Sequence, residues 1–270
     1  MTLAVVAHRL HPERTEIFHA LSPAVPPEAT ERVSGYASRE DWTLRLVDAG
    51  EFGDDDYLRN PVQRCYFCKR HLYHSIASHT RLPIMSGTNL DDLDDFRPGL
   101  RAAADHRVLH PYVEAGIGKT SVRRLAASLG LVDIAELPAQ PCLSSRVETG
   151  IRIDPDSLRR VNRIERELTA ALGSPVIRCR VRHDGIAIEL DGAVLRSLTD
   201  TDRTGIRQRV TAAWPGQSVV ITEYRRGSAF LGPPVKTSVQ EAAITSGDRA
   251  PAAGGPRVTA TRPVTHVEQP

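Results

Sequence analysis

The stretch NPVQRCYFCKR contains two of the chain's four cysteines, Cys65 and Cys68, at a C-x-x-C spacing. Such a pair can bind a metal ion, exchange disulfides or supply thiolates to an iron–sulfur cluster. His71 and His74 follow, so a zinc clip is one interpretation. Zinc clips usually separate their two ligand pairs by about a dozen residues, whereas these histidines are expected along one helix that starts near Cys68. A thioredoxin-type pair lacks its βαβ context, while zinc and two plainly buried cysteines both stay open.

A third cysteine, Cys142, lies in AQPCLSSRVETG, a loop bounded by proline and glycine. A thiolate nucleophile requires cationic or amide-donor surroundings that favour its deprotonated form. Ser144, Ser145 and Arg146 follow closely and could supply them. Cys142 is therefore a candidate nucleophile, and the alternative is a small buried hydrophobic residue in a linker between domains.

A polar loop, SGTNLDDLDDFRPG, directly follows the apolar stretch at residues 82–85. In open α/β sheets, ligands bind beyond the carboxyl ends of the strands. Residues of this loop would then lie where a nucleotide or substrate could bind. They are Gly87, Thr88, Asn89 and Arg97.

Two further features near this loop could serve phosphate chemistry. Four aspartates, Asp91, Asp92, Asp94 and Asp95, could hold magnesium, but a solvated acidic turn is the simpler interpretation. Lys119 begins an amphipathic stretch, KTSVRRLAASLG, and a helix N-terminus with a lysine is a natural phosphate site. The alternative is a plain surface lysine.

Three arginines, Arg178, Arg180 and Arg182, alternate along one predicted strand and therefore project from the same face. Like charges this close repel each other unless an anion or an acidic partner lies between them. Phosphate recognition and a solvated edge face both stay open for this face.

The element pattern predicts an α/β protein of two domains and a tail. Residues 1–147 alternate helical periodicity with short apolar strands at 17–21, 42–47 and 82–85, which indicates a parallel α/β sheet. Residues 148–235 should form a small α+β domain. Its helix would be capped by Asp154 and end at Gly173, a hairpin would turn at Asp184-Gly185, and SVVITEY would add a third strand. The tail, 236–270, is poor in large apolar residues and is expected to be disordered.

The composition limits the classes of function. With 40% hydrophobic and 25% charged residues, the 270-residue chain has an ordinary globular balance, and a net charge of +2 argues against a large nucleic-acid surface. No apolar run approaches the roughly 18 residues that a membrane span requires, and no signal-peptide pattern opens the sequence. Four sparse cysteines suit a reducing compartment, so a cytoplasmic protein is expected.

Four motifs in fixed order resemble those of the LarE-type ATP-dependent sulfur transferases. They are NPxxRCYFCK, SGTNLDDLxDFRPG, a GxxK helix start and PCLSSRxxTGxxI, and the resemblance covers about residues 20–230. It implies the fold of the PP-loop ATP pyrophosphatase superfamily, which is similar to the adenine nucleotide alpha hydrolases. It also implies adenylation of a pyridinium biscarboxylate mononucleotide with ATP and Mg²⁺, followed by replacement of AMP by sulfur. The thiocarboxylate product becomes part of a nickel-pincer nucleotide cofactor. The family suggests a homo-oligomer that acts on a small-molecule nucleotide.

The resemblance also implies roles for individual residues. Cys142 aligns with the sulfur-donating cysteine of the family, which is consumed in members that lack the C-x-x-C pair. In members that have the pair, Cys65, Cys68 and Cys142 resemble the ligands of a 4Fe-4S cluster that carries a transferable sulfide, and this version is expected here.

The remaining predicted site residues fall into two groups by the same resemblance. The ATP-binding group comprises Gly87, Thr88, Asn89 and Lys119. The substrate-binding group, with Arg178 and Arg180 on the substrate phosphate, comprises Arg97, Ser145, Arg146, Arg178 and Arg180.

One departure from the family concerns the ATP loop SGGxDS, which the sequence does not contain. MTLAVVAHRL resembles the helix that follows this loop, so we expect that the start codon is assigned too late and that the loop is encoded upstream. A degenerate, non-catalytic relative or a zinc-stapled binding protein is the alternative. A tRNA thiolase of the same superfamily is a further alternative, against which the small net charge weighs.

Overall fold

The structure is a computed structural model that describes residues 1–94, 96–138, 140–174, 176–225 and 227–229, all within one compact unit. The α-helices are α1 Thr2–Leu10, α2 Pro27–Glu40, α3 Asp55–Leu58, α4 Arg64–His79, α5 Gly99–Asp105, α6 Pro111–Glu114, α7 Lys119–Ser128, α8 Val132–Ala135, α9 Pro155–Leu172, α10 Gly192–Ser197 and α11 Asp200–Ala213. The strands are β1 Glu16–Leu21, β2 Thr43–Asp48, β3 Ile177–Arg182, β4 Gly185–Leu190 and β5 Val219–Glu223. Single 3-10 turns occur at Pro12–Arg14, Glu51–Gly53, Leu90–Asp92 and Leu143–Arg146.

The first half of the chain contains a parallel βαβ unit. Strands β1 and β2 pair in parallel from Glu16 opposite Thr43 to Leu21 opposite Asp48, and α2 connects them. The predicted strand at 82–85 is reduced to one parallel bridge, between Met85 and Leu109. Pro83 explains the difference in part, because proline has no N–H to donate to a ladder. The predicted α/β fold class is confirmed.

The second half follows the sequence prediction closely. The side chain of Asp154 accepts a hydrogen bond from the Ser157 N–H at the start of α9, and Gly173 ends this helix at φ 63°. Strands β3 and β4 form the predicted hairpin, and β5 pairs in parallel with β4, giving the order β3-β4-β5. Gly185 is required in the turn because its φ is 134° and a Cβ would lie 2.1 Å from the Ser218 hydroxyl.

The largest apolar cluster joins the two halves of the chain. Helix α9 buries an apolar stripe against β3 and β4, and Tyr57, Leu143 and Val147 from the first half pack into the same cluster. Cys68 and Cys142 lie at its border. The domain boundary at 147/148 stays a prediction, and the predicted disordered tail at 236–270 falls outside the described residues. Within the described ranges, no helix has the length and apolar character needed to cross a bilayer.

Candidate functional site

The structure brings Cys65, Cys68 and Cys142 to one place, which we call the cysteine site. Cys65 and Cys68 lie in the first turn of α4, and Cys142 immediately precedes the 3-10 turn at 143–146. All three thiols are half-buried and free of disulfides. Burial, with the nearby Cys142 sulfur adding to it, raises the pKa of Cys68 to about 12. Burial also raises the pKa of Cys65, which Arg64 opposes and Cys142 reinforces.

The two histidines after the C-x-x-C pair do not join the cysteine site. His71 Nε2 lies 2.6 Å from Asp54 Oδ2, and the His74 side chain is exposed. Among the described residues, no group of three or more His, Cys, Asp or Glu side chains is arranged to hold a metal ion. The zinc clip considered from the sequence is therefore not formed in this part of the chain.

Arg146 supports the Cys142 loop, which we define as residues 140–150. Its side chain is buried, and its Nε and Nη2 each donate to the Glu165 carboxylate at 3.0 Å. Its Nη1 donates to the carbonyl oxygens of Pro141 at 2.7 Å and Cys142 at 3.2 Å. The predicted substrate ligand Ser145 also faces inward, since its Oγ donates to the Cys142 carbonyl at 2.7 Å. Both residues hold the backbone around Cys142.

Arg180, a second predicted substrate ligand, is also buried beneath this loop. Its Nη1 donates to the Ser145 carbonyl at 2.8 Å, and its Nε donates to Glu189 at 3.0 Å. Arg182 donates to the other oxygen of Glu189 at 2.7 Å. Glu189 is therefore an acidic partner between the like charges of Arg180 and Arg182. The sequence analysis expected either such a partner or an anion to relieve their repulsion.

Arg178 is half-buried, as Arg182 is, whereas Arg180 is buried. Its Nη1 donates to its neighbouring Ile177 carbonyl at 2.7 Å, and the guanidinium lies 5.9 Å from the Tyr224 ring centroid. Burial, followed by the nearby charge of Arg146, lowers the pKa of Arg178.

The predicted ATP-binding residues lie near two cavities. Gly87 lines a cavity of about 320 Å³, next to β1 and residues 82–85. Asn89 and Lys119 line a smaller cavity of about 190 Å³. Thr88 Oγ1 lies 3.0 Å from the Ser86 hydroxyl. Helices α1 and α7 contribute Thr2 and Val122 to both cavities.

The aspartates of the acidic turn after Asn89 accept hydrogen bonds from their own loop and from the start of α7. Asp91 Oδ2 accepts the backbone N–H of Lys119 at 2.6 Å, so a carboxylate occupies the helix N-terminus at which the sequence analysis placed a phosphate. Asp92 accepts the backbone N–H of Asn89 at 3.1 Å and pairs with Arg97 at 2.6 Å. These contacts agree with the acidic-turn interpretation. Asp95 lies outside the described residues.

The sequence analysis missed the acidic partners of the buried arginines. Glu165 occurs in the apolar stripe of α9, and it is buried with Arg146. A carboxylate in such a stripe requires a charged or hydrogen-bonding partner, so its position was a usable signal. Glu189 lies within β4, where every residue is buried, and it was detectable by the same reasoning.

These features define an α/β protein with a site built from three cysteines on two elements. No family model matches the sequence. The chain is 35% identical over 192 residues to the uncharacterized protein slr1717 of Synechocystis, and the match covers 70% of this chain and 71% of that protein. The chain therefore belongs to the same family as this Synechocystis protein.

Two other relatives match shorter parts of the chain. The uncharacterized protein MJ0830 of Methanocaldococcus jannaschii is 30% identical over 115 residues, which are 41% of this chain and 44% of that protein. The pyridinium-3,5-bisthiocarboxylic acid mononucleotide synthase of Lactiplantibacillus plantarum is 29% identical over 148 residues, 53% of each chain. The match thus spans about half the length of the relative whose activity is named, and it supports the LarE-like relationship that the motifs predict.

Proposed function

We propose that this protein is an ATP-dependent sulfurtransferase that converts a carboxylate of a pyridinium biscarboxylate mononucleotide into a thiocarboxylate. The observation that carries the proposal is that Cys142, which is distant in sequence from Cys65 and Cys68, meets this pair at one half-buried site. The distant similarity to a synthase named for a bisthiocarboxylic acid mononucleotide supports the choice of substrate.

The reaction requires activation because a carboxylate is a poor electrophile. Attack of a carboxylate oxygen on the α-phosphorus of ATP forms an acyl-adenylate and releases pyrophosphate, with Mg²⁺ neutralising the phosphate charge. A sulfur nucleophile then attacks the acyl carbon, so that a C–S bond forms and AMP leaves with the electron pair of the C–O bond. In this scheme the nucleotide binds near Gly87, Thr88, Asn89 and Lys119, and the cysteine site supplies the sulfur.

The donor set of the cysteine site fits a 4Fe-4S cluster better than a single ion. In the part of the chain that the structure describes, three thiols and no histidine belong to the site, and they are not arranged to hold a single metal ion. Soft thiolates are the usual ligands of iron–sulfur clusters. The ligands of a four-iron cluster also lie further apart than those of one ion, because the cluster fills the space between them. Cys65, Cys68 and Cys142 would hold it, and when bound it supplies a transferable sulfur beside the substrate carboxylate.

The chain's own residues have separate tasks in this proposal. The buried side chains of Arg146 and Arg180 fix the backbone that carries Cys142. We assign Arg178, whose guanidinium is half-buried near the like charge of Arg146, to an anionic group of the substrate. Ser145 anchors the Cys142 carbonyl from within the loop.

Sulfur transfer is tested by supplying the anaerobically reconstituted protein with the dicarboxylate mononucleotide, ATP, Mg²⁺ and sulfide. Mass spectrometry of the nucleotide should show the replacement of one oxygen by sulfur, and Cys142→Ser should abolish this change. Cys142 itself should be unaltered after turnover, whereas its conversion to dehydroalanine would show that it is the consumed donor. An unmodified nucleotide in a chain that does exchange pyrophosphate with ATP would refute the proposed reaction.

The activation by ATP is tested separately from sulfur transfer. The sequence contains no SGGxDS loop, and the backbone amides of such a loop bind phosphates. Isotope exchange between pyrophosphate and ATP should be measured on this chain and on a chain extended by any in-frame upstream codons. We expect exchange in the extended chain. A lack of exchange in both would favour the non-catalytic alternative.

A further inference from the structure

Asn60 forms one link between the start of α4 and the Cys142 loop. It is 1% exposed and adopts a left-handed backbone with φ 54°. Its Nδ2 donates to the Glu148 carbonyl at 2.8 Å and to the Val147 carbonyl at 3.3 Å, and its own carbonyl accepts the Gly150 N–H at 2.9 Å. One residue therefore makes hydrogen bonds to three positions at the C-terminal end of the loop.

Arg64 forms the second link and directly precedes Cys65. Its side chain is 3% exposed, and its Nη1 donates both to Asn60 Oδ1 and, at 2.9 Å, to the Ser144 carbonyl. Burying a guanidinium is costly unless directed hydrogen bonds compensate. Both bonds leave from one nitrogen of its planar fork, and the rigid fork fixes that nitrogen better than the flexible stem of lysine fixes an ammonium. The Tyr57 hydroxyl, 2.7 Å from Ser144 Oγ, adds a third link.

The consequence of these links is geometric. Arg64 belongs to the same helical turn as Cys65 and Cys68, while Ser144 lies two residues after Cys142. Sliding the loop along α4 would change the distances between the thiols, and it would also break the contacts of Asn60 and Arg64. We propose that Asn60 and Arg64 are positioning residues that set the distance of Cys142 from Cys65 and Cys68.

This inference rests on the proposed function only for the role of the cysteine site in sulfur transfer, and not for the geometry of the three cysteines. Its test is carried out on the metal-free full chain and requires neither ATP nor substrate. The measured quantity is the rate at which a short bis-maleimide joins Cys142 to Cys65 or Cys68, with the linked peptides identified by mass spectrometry.

Two variants probe the link, and a third serves as the control. Asn60→Gly retains access to the left-handed backbone but loses the side-chain bonds, while Arg64→Lys retains the charge and loses the fork. Arg70→Lys changes an arginine on the same helix that pairs with Asp54 instead of the loop. We expect about a tenfold fall in cross-linking rate for the first two variants, since catalytic geometries are sensitive to about 1 Å, and no change for Arg70→Lys.

Cys179 separates positioning from general destabilisation, because its side chain is fully buried. Its alkylation by a monofunctional maleimide should stay as slow in Asn60→Gly and Arg64→Lys as in the wild type. If either variant fails to fold, Asn60→Asp replaces it, because it retains Oδ1 for Arg64 and loses the donor to the loop.

The outcomes distinguish this inference from the proposed function. An unchanged cross-linking rate in the folded variants, absent cross-linking in the wild type, or a fall that accompanies exposure of Cys179 would overturn the positioning role. The expected rates together with an inactive sulfur-transfer assay would leave the positioning role standing and remove the proposed reaction.

Discussion

The Cys142 loop and the loop that follows Met85 both carry predicted site residues, but they are held in different ways. Ser144, Ser145 and Arg146 in the Cys142 loop are buried, and arginines from α4 and β3 donate to its carbonyls. The loop after Met85 has local bonds between Asn89 and Asp92 and the contact of Asp91 with α7. Other non-local bonds are made by the backbone N–H groups of Ser86 and Leu90, which donate to Leu109 and Ile117, and by the Ser86 hydroxyl, which lies 2.8 Å from His110 Nδ1.

Apolar side chains are also more exposed in and beside the loop after Met85 than in the Cys142 loop. Met85, Leu90 and Leu93, in and beside the second loop, are 45%, 38% and 48% exposed, whereas Leu143 and Val147 are buried in the main apolar cluster. The comparison teaches that the geometry of the cysteine site is set in advance by tertiary contacts. The loop after Met85 is more exposed, and its residues Gly87 and Asn89 line open cavities.

The largest expected effect tests whether the three cysteines act as a unit. After anaerobic reconstitution, the wild type should be brown and contain about four irons, and Cys65→Ser, Cys68→Ser and Cys142→Ser should each lose most of the iron. Cys179→Ala is the matched control, because Cys179 is fully buried and is not one of the three half-buried thiols of the site. Iron content and visible absorption are the measurements. A colourless wild type that retains zinc would contradict the cluster.

A smaller effect tests the support beneath the Cys142 loop. Glu165→Gln should lower the free energy of unfolding by about 3 to 5 kcal/mol, because the buried charge of Arg146 loses its paired carboxylate. Urea unfolding measures the change, and Glu167→Gln, an exposed acid on the same helix, should cost under about 1 kcal/mol. Equal effects of the two substitutions would show that the buried pair does not stabilise the loop.

Two tyrosines allow a comparison between a buried hydroxyl group that is hydrogen-bonded and one that, within the described part of the chain, is not. Tyr57→Phe should cost about 1 kcal/mol, because it removes the bond to Ser144. Tyr112→Phe should be neutral or stabilising, because the Tyr112 hydroxyl is buried with no hydrogen-bond partner among the described residues. Urea unfolding of both variants checks the contrast, and a greater loss in Tyr112→Phe would reverse it.

Tyr112 also leads to a prediction of how stability depends on pH. Burial raises the pKa of Tyr112 to about 12, above the usual value of about 10. The folded state therefore retains a proton that the unfolded state loses, and the stability from this group falls as the pH rises from about 10 through 12. Tyr112→Phe should reduce this alkaline loss of stability, as measured by unfolding at several pH values. An identical pH profile in the variant would contradict the assignment.

The last prediction, similar in size to that for Tyr57→Phe, concerns the acidic turn. Asp91→Ala should cost about 1 kcal/mol, because the Lys119 N–H at the start of α7 loses its acceptor. Asp94→Ala, in the same turn and exposed, is the control. Unfolding measurements that show equal losses would mean that Asp91 contributes no more than its neighbour.

Local signals predicted most of the elements. The cap at Asp154, the ends of α9 and the hairpin at Asp184-Gly185 are confirmed, because each depends on a few neighbouring residues. The prediction of a full strand at 82–85 was wrong, since only Met85 of these described residues forms a bridge. Strand pairing depends on neighbouring strands that local propensity does not specify. For the site, the C-x-x-C spacing alone left zinc open, and only the resemblance added Cys142 as the third member.

The sequence by itself determined the fold class, the order of the elements and the residue types available for sulfur chemistry, because periodicity, capping and turn residues act over short distances. Tertiary structure alone decided that Arg146 and Arg180 turn inward toward Glu165 and Glu189. It also decided that Asn60 and Arg64 tie α4 to the Cys142 loop. These contacts depend on which distant segments pack together and on how buried charges find partners, and one-dimensional spacing does not encode either.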